Sequence, residues 1–145
     1  MSLNVHLRNA IISDADQIYT LIGQLENKTM NRTYFNRIFE QNLKSPDIFY
    51  RVLEGNEKII GFVSVHFQNL LHHDGRVAEV QELCVDENDR GKGFGKILLD
   101  EAVLEARGRN CELIELAANK KREDAHRFYE REEWERSHFK FTRKL

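Results

Sequence analysis

Three glycines crowd the run Arg90-Gly91-Lys92-Gly93-Phe94-Gly95, which joins an apolar, strand-like stretch (77–85) to a helix-like one (96–107). Small residues at such a junction leave backbone N–H groups uncovered. Those groups point out of the free end of a helix whose dipole favours negative charge. That is a phosphate cradle, and spacing narrows which phosphate it holds. A P-loop needs GxxxxGK[ST], which these glycines do not give. A dinucleotide GxGxxG begun at Gly91 meets Lys96 where its last glycine belongs. Both nucleotide readings fail.

The strand before the loop carries the second chemical signal. Apolar residues fall at Ala78 and Val80, then at Leu83 and Val85, so the phase moves from even to odd positions. A regular strand cannot do this and keep one face buried. One extra residue near Gln81-Glu82 repairs it, which predicts a β-bulge and a slot where this strand splays from the next. Glu79, either Gln81 or Glu82, and Cys84 then face one side, towards the slot. Carboxylates placed there suit an amine substrate. An alkylamine with a pKa of ~10.4 costs about 4.6 kcal/mol to neutralise at pH 7, and a carboxylate, directly or through water, takes the proton as attack proceeds. The competing reading is a strand whose Glu82 faces solvent and whose acids pair with surface arginines.

These residues need elements to hold them. Residues 3–10 read as a first strand. Ser13 and Asp14 cap a helix to about Glu26, with Ile18, Leu21, Ile22 and Leu25 at helical spacing. A second helix, about 31–43, puts Phe35, Ile38 and Phe39 on one stripe, and Pro46 marks its end. Strands at 48–53 and 59–67 flank the turn Glu54-Gly55-Asn56-Glu57, a hairpin signal. After the glycine loop and its helix come a strand at 111–118, a helix at 123–131 and an alternating tail, 137–143, that reads as a closing strand. A meander followed by strand-helix-strand predicts one α/β domain over residues 1–145. Its mixed sheet has about six to seven strands, is flanked by four helices, and is bulged and splayed at the fourth strand.

The glycine run follows Leu83-Cys84-Val85-Asp86 and fits Arg-x-x-Gly-x-Gly. Farther on stand a strand ending in Asn119 and the run Arg122-Glu123-Asp124-Ala125-His126-Arg127-Phe128-Tyr129. Together these resemble the GNAT superfamily of acetyl-CoA-dependent N-acetyltransferases. The resemblance implies that Arg90, Gly91, Lys92, Gly93, Phe94, Gly95 and Lys96 hold the pyrophosphate of coenzyme A, and that the slot takes the pantetheine arm. It implies backbone N–H groups around Leu83, Cys84 and Val85 that polarise the acetyl carbonyl, with Asn119 and His126 near the coenzyme. Glu79 stands where the family keeps its catalytic acid residue, with Glu82 as second candidate. Tyr129 stands where the family keeps a tyrosine that hydrogen-bonds the coenzyme sulfur and protonates the departing thiolate. A partly buried aromatic with no chemical role is the alternative for Tyr129. One departure shows after the last helix, where Glu132-Glu133-Trp134 replaces the usual glycine and phenylalanine.

Two further stretches, His66-Phe67 to Leu71-His72-His73 and Ser137-His138-Phe139-Lys140-Phe141-Thr142, resemble the aminoalkylphosphonate N-acetyltransferases. That implies a small aminophosphonate as acceptor. On a closing strand His138, Lys140 and Thr142 share one face, which suits a phosphonate dianion, though a solvated edge strand shows the same pattern. His73 is a candidate for positioning substrate. Adjacent histidines on a strand point apart, so His72-His73-Asp74 does not support a metal site on spacing, and a divalent ion stays an open question. Cys84 suggests an acyl-cysteine route, but no histidine-rich activating site accompanies it, which favours direct transfer. The alternatives are another acceptor (a polyamine, an aminoglycoside or a peptide N-terminus) and a non-catalytic acetyl-CoA-binding regulatory module.

Composition agrees with a soluble globular protein. The 145 residues are 41% apolar and 32% charged, with 22 basic against 24 acidic residues. A net charge of −2 argues against a nucleic-acid partner. No apolar run reaches the ~18 residues of a membrane span, and no signal-peptide pattern opens the chain. Two cysteines, Cys84 and Cys111, read as reduced core thiols of a cytoplasmic protein. The final strand and the hairpin suggest a homodimer.

Overall fold

The computed structural model describes residues 4–145, so the expected start of the first strand at Leu3 lies outside the described residues. Five strands form one sheet in the order β1-β2-β3-β4-β5: Val5–Asn9, Ile48–Gly55, Lys58–Leu70, Gly75–Val85 and Leu113–Leu116. β1 to β4 are an antiparallel meander. The helices are α1 (Ala15–Glu26), α2 (Arg32–Leu43), α3 (Phe94–Gly108) and α4 (Glu123–Arg131). The chain divides into a unit ending at Glu115 and a smaller one from Leu116 to Leu145.

Phe62 of β3 and Cys84 of β4 pack with Ile18 and Leu21 of α1 and Phe39 of α2, so α1 and α2 cover one face of the sheet. α3 covers the other, where a side chain at Gly61 would meet Leu98 Cδ1 at 2.6 Å. Only glycine lets α3 come this close. The hairpin turn holds Asn56 and Glu57 at φ 53° and 61°, the pair of positive angles that a tight two-residue turn requires.

Three expectations about these elements need correction. Asp14 stands at the N-cap of α1, but its side chain makes no capping bond to the helix. Its carboxylate turns back to accept the Ile11 N–H at 2.8 Å and to pair with Arg8 at 2.8 Å. Burial pushes that carboxyl up, but Arg8 and the Ile11 N–H outweigh it and hold it below the usual range. Ile38 is 53% exposed, because α2 turns Phe35 and Phe39, not Ile38, onto the sheet. The sheet has five strands among the described residues, not six to seven, because residues 135–145 adopt no regular structure. A strand needs a ladder partner, and Phe139 and Phe141 are 90% and 93% exposed.

Candidate active site

The bulge falls where the change of phase places it. Glu82 stands opposite Ser64 and Val80 opposite Val65, leaving Gln81 as the extra residue. Glu79, Glu82 and Cys84 then lie opposite His66, Ser64 and Phe62, on one face. Glu79 and Glu82 are half-buried and Gln81 is exposed. Ser64, which sequence reasoning missed, is fully buried. Its hydroxyl accepts the Glu82 N–H at 2.9 Å and donates to Glu82 Oε1. The available signal was a lone serine in the apolar run Phe62-Val63-Ser64-Val65.

Next to Ser64, Tyr50 receives a hydrogen bond from Asn42 Nδ2 at 2.7 Å. Burial pushes its phenol up, the Asn42 bond draws it back, and the charge of Glu82 adds to the rise.

Beyond the bulge, alternation decides which N–H groups are free. The Asp86 N–H donates to the Ile60 carbonyl at 2.8 Å, so Cys84 turns its N–H to β3 while Leu83 and Val85 turn theirs away. Arg90 Nε donates to the outward Val85 carbonyl at 3.3 Å. β5 starts level with Arg76, whose carbonyl accepts the Glu112 N–H at 2.9 Å. Four residues carry it only about 13 Å, so β5 itself does not reach Leu83. Two neighbouring N–H groups on the outer edge suit an oxygen that gains charge.

The glycine loop enters α3 without a side-chain cap. Gly91 and Gly93 sit at φ 79° and 83°, which non-glycine residues rarely adopt, with open space where side chains would stand. Phe94 is buried and anchors the first turn, and Lys92 pairs with Asp89 at 3.1 Å. The uncapped first-turn N–H groups beside an open glycine surface fit a pyrophosphate.

The smaller unit holds Asn119, His126 and Tyr129. Asn119 Oδ1 accepts the Lys121 N–H, and the Asn119 carbonyl meets His126 Nε2, both at 2.9 Å. Both residues therefore brace the turn into α4. Burial pushes the Tyr129 phenol up, partly offset by the charge of Arg122, so it keeps its proton at neutral pH. Phe128, beside it at 5.3 Å between ring centroids, is half-buried. The missing glycine at the end of α4 is replaced by Glu133 at φ 70°. The N–H of Trp134 reaches the Tyr129 carbonyl at 2.9 Å and that of Glu133 reaches Glu130 at 3.1 Å, and the Trp134 ring lies 6.1 Å from that of Tyr129. This closes the helix with a Schellman motif.

The remaining candidates are placed less favourably. His73 lies in a short 3-10 turn, not a strand, and its Nδ1 meets Glu112 Oε1 at 2.7 Å. The rings of His72 and His73 lie 4.4 Å apart instead of on opposite faces. Without a closing strand, His138 and Lys140 are exposed and share no strand face. Neither Cys84 nor Cys111 is in a disulfide. Among the described residues no helix is long and apolar enough to cross a membrane.

Residues 13–133 match the acetyltransferase (GNAT) family. The aminoalkylphosphonate N-acetyltransferase of Salmonella typhimurium is 42% identical over 139 residues, covering 96% of this chain and 90% of that one. Among solved structures, a transcriptional regulator from Bacillus halodurans superposes with a TM-score of 0.90 at 25% identity, over 98% of this chain and all of its own. An aminoglycoside N-acetyltransferase solved with CoA gives 0.87 at 14% identity, over 99% and 97% of the two chains, a likeness of fold.

Proposed function

The chain belongs to the acetyltransferase (GNAT) family and is an N-acetyltransferase with acetyl-CoA as cosubstrate, and we propose that the amine it acetylates is a small aminoalkylphosphonate. The observation that carries this reading is the 42% identity, over nearly the whole chain, to a protein named for that activity. We propose further that residues 1–145 act as one catalytic domain, in the cytoplasm and as a homodimer.

Acetyl-CoA supplies the thioester-bound acetyl group. In the proposed reaction the N–H groups of residues 91–96, with Arg90, Lys92 and Lys96, hold the pyrophosphate. Asn119 and His126 flank the pantetheine arm. Glu79 accepts a proton from the ammonium group, directly or through water, so that a neutral amine attacks. The outward N–H groups of Leu83 and Val85 face the acetyl oxygen as it gains charge. Two protons leave the nitrogen in all. One ends on sulfur and the other passes to solvent.

In the proposed reaction Tyr129 serves the leaving sulfur. A phenol pushed above its ordinary value of ~10 is a weaker acid than a thiol at ~8.5, so full transfer to the thiolate is uphill by more than about 2 kcal/mol. Tyr129 therefore acts chiefly by donating a hydrogen bond to the thiolate. His73, His138 and Lys140 are the proposed side-chain partners of the phosphonate.

The test is a thiol-release assay with acetyl-CoA against aminomethyl- and aminoethylphosphonate, polyamines, aminoglycosides and peptides. Turnover should favour the aminophosphonates. If only polyamines or peptides react, the phosphonate assignment is wrong.

A further inference from the structure

We propose that Ser64 is a positioning residue, whose hydroxyl pins the β4 bulge and holds Glu82 so that its carboxylate seats the acceptor's ammonium group. The proposal rests on the acetyltransferase reading above and divides the work between the two acids on this face.

Ser64 is completely buried and uses both sides of its hydroxyl on one residue. The oxygen accepts the Glu82 N–H at 2.9 Å and the proton goes to Glu82 Oε1. At a bulge the ladder loses a regular pairing, and here a side chain replaces it. A serine needed only to satisfy the backbone would not also have to engage the carboxylate. That second bond fixes the Glu82 rotamer while one carboxylate oxygen, Oε2, makes no hydrogen bond or ion pair among the described residues. The Tyr50 phenol, held by Asn42 at 2.7 Å, lies on the same face beside Ser64. Its proton is retained, so it adds no second negative charge beside Glu82.

The carboxylate of Glu79, which stands opposite His66 on the same face, makes no side-chain hydrogen bond or ion pair among the described residues. A held carboxylate suits a charge that must stay in place, and an unheld one suits a proton that must move. Glu82 thus seats the ammonium and Glu79 takes its proton.

The test is steady-state kinetics of Ser64→Ala, Glu82→Gln and the double variant, with coenzyme A affinity measured by calorimetry and folding by thermal melts. Aminoethylphosphonate is the acceptor. Should it not react, the same comparison is run on whichever amine does, since each carries an ammonium, and only the phosphonate reading fails. Both single variants should raise the acceptor KM at least ~10-fold with a smaller change in kcat and coenzyme affinity within about twofold. The double variant should be no worse than Glu82→Gln alone, because the two residues act as one unit. If Ser64→Ala does not fold, Ser64→Cys, which keeps the shape and weakens the donor, takes its place. An unchanged acceptor KM, or additive losses in the double variant, overturns the proposal while leaving the acetyltransferase reading intact.

Discussion

At the scale of single residues, the chemistry depends on what each polar group is left free to do. The Glu82 carboxylate is engaged by a buried hydroxyl, whereas Glu79 sits half-buried on the same face with no such bond. Removing the proton acceptor while keeping its shape should therefore cost rate, not coenzyme binding. Glu79→Gln is expected to lower kcat/KM for the amine by roughly 10²–10⁴-fold, with coenzyme A affinity unchanged in a calorimetric titration. Wild-type turnover would remove Glu79 from the mechanism. Glu79 stands out in the sequence through its resemblance in position to the family's catalytic acid residue, and the structure places it on the Glu82 face. Ser64 is harder to read, because a lone serine in an apolar run signals a polar group but not that it stands across from a bulge.

At the scale of elements, the bulge was the most legible feature, since side-chain parity on a strand leaves only an extra residue to explain a change of phase. Gln81 is that residue. The closing strand was misread for a related reason. Alternation in residues 137–143 specifies two faces but supplies no partner, and without a ladder the segment is not a strand. Ile38 shows the same limit in a helix, where spacing gives a stripe but packing decides its width. The end of α4 is a departure that the structure resolves. Glu133 takes the left-handed position that glycine normally fills, at a cost in backbone strain. Glu133→Gly should therefore stabilise the protein by about 0.5–1 kcal/mol in urea unfolding. A destabilisation would mean that the Glu133 side chain has a role its geometry does not show.

At the scale of the whole molecule, two features call for something outside a single chain. Phe139 and Phe141 lie almost fully exposed two residues apart, on a tail that has no ladder. Burying two such rings is worth about 3–6 kcal/mol, and in the homodimer proposed above a second copy would cover them. The wild type should run as a dimer in light scattering, and Phe139→Ser with Phe141→Ser should run as a monomer. Identical masses would end that reading. The other feature is the uncapped start of α3 behind Gly91 and Gly93, on which the whole account depends. Comparing coenzyme A with pantetheine, which lacks the pyrophosphate and the nucleoside beyond it, by isothermal titration tests it most directly. Two or three charge-assisted backbone hydrogen bonds predict that coenzyme A binds at least roughly a hundredfold more tightly. Equal affinity for the two would contradict it.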